Sequence, residues 1–322
     1  MIERESLYWD EFKKRIVETI SSLKKNRLPE VRRVAVFITN ECNLNCEYCN
    51  FERKSEFMNE ELFDNIINRF SSKTIIHITG GEPSTVPWLY EYVKKHGESL
   101  RFHINSNLFL PAPYNSIKRL KVSLDSCNPE VFNKLVHSKK AFDNVVRNIS
   151  DASEKTVTSV TYTLTKSNLS DAINFVRFTN KTFPKLYAVT FSIYKGDNKD
   201  FVISKDEADL FFKETVPELK KELKGESYYL FNEVMDNASQ LVNGIRFPEL
   251  DLIKTRICYL SLSERTFSPK GEESFCSHLY RDKIKQERNV ITPRCYYGCA
   301  KKLAKFNTEV FKEVICGGAN GI

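Results

Sequence analysis

Short apolar runs rich in β-branched residues alternate with amphipathic stretches from residue 34 to residue 194. Such runs predict strands, and apolar residues that recur every three or four positions predict helices. The predicted strands are residues 34–38, 74–79, 101–107, 118–125, 156–165 and 185–194. The predicted helices between them are residues 59–70, 86–96, 129–136, 140–153 and 170–181. This alternation indicates an α/β fold with a parallel sheet and helices on its outside.

The segments outside this alternating region also have recognisable patterns. Residues 5–25 predict an amphipathic helix, which we expect to pack as a brace on the main domain. Residues 204–223 and 226–244 predict two further helices, the first opening in the style of a capping box. Residues 265–275 predict a β-hairpin with a Ser-Pro-Lys-Gly turn. The hairpin marks a change in the character of the chain, because cysteines cluster around it.

Composition and charge exclude few classes of protein. The 322 residues are 41% hydrophobic and 28% charged, which is ordinary for a globular protein. No apolar run approaches the roughly 20 residues that span a bilayer, and the N-terminus has no signal-peptide core, so we expect a cytoplasmic protein without a membrane segment. The net charge of +7 fits an anionic substrate, a nucleic acid or a solvated lysine-rich surface equally well, so it does not indicate nucleic-acid binding.

The first group of cysteines follows the first predicted strand. Cys42, Cys46 and Cys49 have the spacing C-x3-C-x2-C. Three thiolates in one tight loop can hold an iron–sulfur cluster and leave one iron open to a substrate or cofactor. A structural zinc site normally closes with four ligands from paired C-x2-C knuckles, and no second knuckle lies nearby. The spacing therefore favours an iron–sulfur cluster over zinc.

This loop, with Tyr48 just before its last cysteine, resembles that of the radical S-adenosylmethionine (SAM) superfamily. The resemblance implies a partial (β/α)6 barrel in which the three thiolates hold a 4Fe–4S cluster and SAM binds the open iron. It also implies reductive cleavage of SAM to a 5′-deoxyadenosyl radical, with electrons from a donor such as flavodoxin or ferredoxin. In such barrels functional residues collect at the C-terminal ends of the strands.

The second predicted strand ends in Thr79-Gly80-Gly81-Glu82-Pro83. Taken alone, this sequence is only a turn, although two glycines permit close approach to a ligand and a carboxylate can pair with an ammonium group. At this place in the chain it resembles the superfamily's Gly-Gly-Glu motif. The resemblance implies that residues 80–83 bind SAM, with Glu82 receiving its amino group.

The next two strand ends also resemble those of the superfamily. Ser106 and Asn107 align with a Thr-Asn-Gly segment, from which Leu108 departs at the glycine. Ser123 and Asp125 resemble a Ser-Leu-Asp segment and are implied contacts to SAM's carboxylate and ribose. An alternative is that Asp125 ends the strand and caps the next helix. His77 alternates with isoleucines, so it is either an interior histidine held by neighbours or a substrate contact.

A second group of cysteines comprises Cys258, Cys276, Cys295, Cys299 and Cys316. The hairpin brings the first two together, and a second iron–sulfur cluster is favoured over zinc. The pattern C-x12-G-x4-C is similar to that of the SPASM or twitch extension. The resemblance implies one auxiliary 4Fe–4S cluster, ligated by Cys258, Cys276 and two of the remaining three cysteines.

We therefore predict three regions: an N-terminal brace (1–33), a radical SAM barrel (34–245) and an auxiliary-cluster domain (246–322). The predicted function is that of a radical SAM oxidoreductase or maturase acting on a small polar molecule or a peptide. The superfamily's GTP cyclase has a C-x2-C-x13-C cluster spacing that this chain lacks, so that activity is not assigned. The alternative is a non-catalytic, zinc-clipped metal- or nucleic-acid-binding protein.

Overall fold

The computed structural model describes residues 3–49, 51–194, 196, 198–235, 238, 241–242, 258–277, 280 and 306–316. Its strands are β1 (Arg33–Thr39), β2 (Ile75–Gly80), β3 (Arg101–Ser106), β4 (Arg119–Ser123), β5 (Val157–Leu164), β6 (Ala188–Ile193), β7 (Glu264–Phe267) and β8 (Glu273–Ser274). Its α-helices are α1 (Glu3–Lys24), α2 (Glu60–Ile67), α3 (Leu89–His96), α4 (Pro129–Leu135), α5 (Ala141–Lys155), α6 (Ala172–Thr182), α7 (Lys205–Leu210), α8 (Val216–Glu222) and α9 (Glu226–Val234). Residues 306–311 are also helical.

The strands form one sheet in the order β6-β5-β4-β3-β2-β1-β7-β8. Neighbours from β1 to β6 pair in parallel, with helices in most of the crossovers, which confirms the predicted partial (β/α)6 barrel. The predicted hairpin is also confirmed, since β7 and β8 pair antiparallel. The sequence did not indicate that β7 would pair in parallel with β1, with Arg33 opposite Glu264 and Val36 opposite Phe267.

The main core lies between the sheet and its helices. On the central strands every second side chain is buried; these outward residues are Ile76, Ile78, Phe102, Ile104, Leu120 and Val122, each at most 4% exposed. Amphipathic helices cover them, as in α5, which buries Val145 and Ile149. The inward residues of the same strands keep some contact with solvent. The sheet is therefore sealed outside and open inside.

A second, smaller core joins the N-terminal helix to the C-terminal part of the chain. Ile16 of α1 packs with Tyr259, Leu262, Phe306 and Val310. Arg15 forms an ion pair of 3.0 Å with Glu264, the first residue of β7. The predicted brace thus contacts the region around the C-terminal hairpin, while the domain boundaries at residues 33 and 245 stay predictions.

Two helices differ in detail from those predicted. The segment predicted as one helix over 204–223 contains a π-helical stretch, Phe211–Thr215, between α7 and α8. The helix predicted over 226–244 ends at Val234, because Met235 has extended backbone angles. Of the helices in the described ranges, none is long and apolar enough to cross a bilayer.

Candidate active site

The loop of Cys42, Cys46 and Cys49 begins at the C-terminal end of β1. A bulge near the end of β1 shifts the register so that Thr39 pairs with Gly80. The Thr39 hydroxyl then accepts a hydrogen bond of 2.9 Å from the Glu41 N–H, which turns the chain out of the strand. Bulges often redirect a strand end beside a functional site. The loop therefore has a fixed origin on the sheet.

Gly80 and Gly81 bring the end of β2 against this loop. The Gly81 N–H donates to the Thr39 oxygen at 2.8 Å and the Glu82 N–H donates to the Glu41 oxygen at 2.7 Å. An added Cβ at Gly81 would lie 2.7 Å from the Glu41 carbonyl carbon and closer still to its oxygen. Gly80 has a φ of 130°, which favours glycine. The two glycines thus permit a close approach between two backbone segments of the protein itself.

Glu82 is fully buried and faces three protein donors. Its carboxylate accepts from the Ser84 N–H at 3.0 Å, the Ser106 hydroxyl at 2.8 Å and the Asn107 N–H at 2.7 Å. Burial raises the pKa of Glu82, and these hydrogen bonds act in the opposite direction. In this arrangement Glu82 ties the end of β2 to the end of β3. Its contact with SAM's amino group stays a prediction, as does SAM binding by Pro83, which opens the short helical turn after it.

The end of β3 reaches back to the cysteine loop. The Asn107 side-chain amide donates to Asn43 Oδ1 at 2.7 Å and lies 3.7 Å from the Cys42 sulfur. Leu108, at the position where relatives have glycine, keeps a left-handed backbone with a φ of 53°. Its N–H donates to the Ser106 hydroxyl at 2.9 Å, and its side chain is fully buried. The loss of the glycine therefore has not removed the left-handed turn.

Tyr48 and Asp125 join the cysteine loop to the end of β4. The Tyr48 hydroxyl donates to Asp125, which also accepts from the Thr163 N–H. Burial raises the pKa of both groups, and the Asp125 charge raises that of Tyr48 further. The alternative that Asp125 caps the next helix is wrong, since Asn128 caps α4 by accepting from the Glu130 N–H at 2.9 Å.

Four of the strand-end segments singled out in the sequence are thus joined by hydrogen bonds: the cysteine loop, residues 80–82, residues 106–107 and Asp125. Ser123, the last residue of β4, is exposed, and no hydrogen bond described here joins it to the others. Its role toward SAM stays a prediction.

The donor set of the loop fits an iron–sulfur cluster. Burial raises the pKa of Cys42, and it raises that of Cys46 to about 12, with Asp125 and the other two cysteines adding repulsion. Mutual repulsion shows that the three thiolates lie near one another and need a cationic centre to be stable together. Within the described ranges no three His, Cys, Asp or Glu side chains converge on a single metal ion. A cluster binds each thiolate through a different iron, so it does not require such convergence.

The C-terminal cysteines lie near the other end of β1. Cys258 precedes the turn Tyr259–Ser263 that leads into β7, and Cys276 follows β8. The charge of a Cys276 thiolate acts on Arg33, the first residue of β1, where it raises the pKa of the guanidinium. Both thiols are free. Cys295 and Cys299 lie outside the described residues; for Cys316 the structure describes the helical backbone but not the side chain.

His77 points into the barrel, and its neighbours hold it. Arg33 donates to His77 Nδ1, because a guanidinium has no acceptor, so the ring carries its proton on Nε2. Burial and the Arg33 charge lower the pKa of His77 well below its ordinary value, and Asn105 hydrogen-bonds the ring. The structure thus supports the interpretation of His77 as an interior histidine held by its neighbours.

Comparisons with known proteins identify the family. Residues 36–179 match the family model of the Radical SAM superfamily. This range contains the cysteine loop, the Gly-Gly-Glu segment and β1 to β5. The chain belongs to the radical SAM superfamily and is an enzyme, whose cofactors are SAM and a SAM-binding 4Fe–4S cluster. The alternative of a non-catalytic, zinc-clipped protein is therefore not supported.

Relatives by sequence include proteins named for a cyclase reaction. The probable GTP 3′,8-cyclase of Methanocaldococcus jannaschii is 24% identical over 79% of this chain and 82% of its own length. The GTP 3′,8-cyclase of Synechocystis is 26% identical over 39% of this chain, and this match covers only 42% of the relative.

Two solved structures share the fold over most of the chain. Streptococcus suis SuiB bound to its precursor peptide SuiA superposes with a TM-score of 0.58, at 15% identity, over 94% of this chain and 70% of SuiB. The sulfatase-type structure titled anSMEcpe with bound AdoMet also has a TM-score of 0.58, at 14% identity, over 89% of this chain and 84% of that one. At these identities the likeness concerns the fold alone.

Proposed function

We propose that this chain is a radical SAM oxidoreductase or maturase that oxidises a small polar molecule or a peptide and carries one auxiliary 4Fe–4S cluster. When bound, the first cluster and SAM supply a 5′-deoxyadenosyl radical that removes a hydrogen atom from the substrate. The observation that carries the proposal is the cysteine loop, which is braced by Gly81, Glu82 and Asn107 where the strands of the barrel end.

The residues of the chain have separate tasks in this proposal. Cys42, Cys46 and Cys49 hold the cluster, and the Asn107 amide near the Cys42 sulfur orients that ligand. Tyr48, Gly80, Gly81, Glu82, Pro83, Ser106, Asn107, Ser123 and Asp125 form the SAM site or the frame around it. The buried Tyr48–Asp125 and Glu82–Ser106 contacts fix the frame before SAM arrives.

Cys258 and Cys276 are proposed ligands of the auxiliary cluster, completed by two of Cys295, Cys299 and Cys316. Their proximity to Arg33 sets this cluster near the start of β1, whereas the SAM cluster lies past its end. Seven strand residues separate the two sites by roughly 20 Å. The interior of the barrel lies between them, which suits an auxiliary cluster that accepts an electron from, or binds, the substrate.

The substrate is proposed only as a class. The cyclase relatives act, by their names, on GTP, yet this chain lacks the predicted cyclase cluster spacing. SuiB acts as the comparison for a peptide, but only its fold is shared. A small polar molecule and a peptide therefore both remain within the proposal, and flavodoxin or ferredoxin is the proposed electron donor.

Single replacements of Cys42, Cys46 and Cys49 by Ala test the proposal. Each variant, reconstituted with iron and sulfide under anaerobic conditions, is expected to lose about four irons and to form no 5′-deoxyadenosine from SAM. Cys127→Ala is the matched control, because Cys127 is a partly buried thiol that contacts Asp171 instead of the loop. Formation of 5′-deoxyadenosine at the wild-type rate by a variant lacking all three loop cysteines contradicts the proposal.

A further inference from the structure

The inner face of the barrel is reached by solvent and is almost entirely polar. On β2 to β4 the inward residues His77, Thr79, His103, Asn105 and Lys121 keep partial exposure, while their outward neighbours are buried. A strand normally places its apolar side chains on a covered face and its polar ones on a wet face. The inner face therefore lines a space that polar groups can enter.

Positive charge is concentrated on one side of this space. Strand register pairs His77 with His103, His103 with Arg119, and Asn105 with Lys121. Arg119 and Lys121 therefore stand two residues apart on the inner face of β4, next to the histidine on β3. Arg33 approaches the same row from β1 through its contact with His77.

Negative charge does not balance these cations. Glu264 lies 3.7 Å from Arg33, but it also pairs with Arg15 at 3.0 Å. Asp125, above the row, is occupied by Tyr48 and the Thr163 N–H. The inner face described here thus has three cations against one shared carboxylate. The pKa of His103 agrees, because burial and then Arg119, Arg101 and Arg33 lower it to about 3.

The opposite side of the space offers hydroxyl groups. On β5 and β6 the Thr161 and Thr190 hydroxyls lie 3.0 Å apart, and the Ser192 hydroxyl donates to Thr163 at 3.1 Å. Hydroxyls can both donate and accept, so this side suits neutral polar groups of a ligand. A ligand with an anionic end and a polar body matches both sides.

We propose that the substrate carries an oxyanion, a phosphate or a carboxylate, which binds Arg119 and Lys121 on β4 inside the barrel, while its neutral polar part faces β5 and β6. This inference rests on the proposed function, since it assigns the substrate site of the same enzyme. A guanidinium and an ammonium side by side are donors that suit such a group.

Calorimetric titration of the reconstituted enzyme with inorganic phosphate, and separately with succinate, tests the proposal and distinguishes the two sources of the oxyanion. We expect at least one of them to bind in the millimolar range, and Lys121→Gln to weaken that binding by about tenfold to a hundredfold. Lys121→Arg is expected to restore it. Lys94→Gln, which removes an exposed lysine of α3, is the matched control and should leave it unchanged.

Each outcome decides the proposal. Binding of phosphate alone supports a phosphorylated substrate, and binding of succinate alone supports a carboxylate. No binding of either probe overturns the inference, as does binding that Lys121→Gln leaves intact in a variant with full iron content and a wild-type circular dichroism spectrum. If the enzyme forms 5′-deoxyadenosine but binds neither anion, only this inference fails. If it forms none, the proposed function fails.

Discussion

Gly81→Ala tests whether the glycine serves the protein's own backbone or an approaching ligand. The added methyl group would overlap the Glu41 carbonyl, which belongs to the backbone of the cysteine loop and cannot rotate away. Relief requires the loop and the end of β2 to separate. That separation breaks the hydrogen bonds from Gly81 to Thr39 and from Glu82 to Glu41.

Competing terms set the size of the effect. Two lost backbone hydrogen bonds cost about 1 kcal/mol each, and the steric overlap costs about 1–3 kcal/mol. The lower entropy of an unfolded chain with alanine returns only about 0.4–1 kcal/mol. We therefore expect the free energy of unfolding to fall by roughly 2–4 kcal/mol, a large part of the 5–15 kcal/mol typical of a domain.

Urea denaturation of the reconstituted protein without SAM, followed by circular dichroism, measures this loss. Gly271→Ala is the control: its added Cβ would meet only the flexible end of Leu62 at 3.1 Å, so left-handed strain of about 1 kcal/mol is the main cost. Equal stability of Gly81→Ala and wild type in the absence of SAM would refute the reasoning, since a glycine kept only for ligand approach predicts that result.

Three further predictions concern other parts of the chain. Replacing Cys258 and Cys276 together by Ala should remove about four irons per chain and abolish substrate turnover while 5′-deoxyadenosine still forms; full iron and full product contradict the auxiliary cluster, and thermal melting serves as the folding control. Leu108→Gly should lower the free energy of unfolding by roughly 1–3 kcal/mol, because the lost burial of a leucine, about 2–5 kcal/mol, exceeds the relief of left-handed strain, about 1–2 kcal/mol; a more stable variant in urea contradicts this. The pKa of His103 falls from 6.5 unfolded to about 3 folded, so its contribution to stability is present above pH 6.5 and is lost as the pH falls towards 3. His103→Gln should therefore lose roughly 1–3 kcal/mol less than wild type on acidification from pH 7 to pH 4.5, and parallel losses in urea at both pH values rule the idea out.

The sequence predicted the elements of the fold well because their signals are local. The six barrel strands are short β-branched runs, and the cysteine loop follows the first of them, so both the parallel sheet and the place of the site could be inferred. Ser204 and Glu207 signalled a capping box, and the structure contains it. Each of these features depends on residues within about one turn or one strand of each other.

Features that depend on distant partners could not be predicted in the same way. Burial of Glu82 is caused by Ser106 and the Asn107 N–H, more than twenty positions away in the chain. Pairing of β7 with β1 depends on the whole barrel lying between them in sequence. The charged inner face also emerges only from the register of four strands, although Leu108 in place of a glycine was a visible sign that the turn after β3 needed support.

The pairing of β7 with β1 has a consequence for how the molecule is completed during synthesis. Strand β1 is made early, yet its outer edge acquires a partner only after β7 has been made, and the Arg15 contact with Ser263 spans 248 positions. Until then the nascent chain presents an unpaired strand edge next to the cysteine loop, and such edges recruit other strands. Assembly of the first cluster and closure of the sheet thus compete in time with aggregation, and a chain stopped before residue 264 should accumulate as insoluble material even though its cysteine loop is intact.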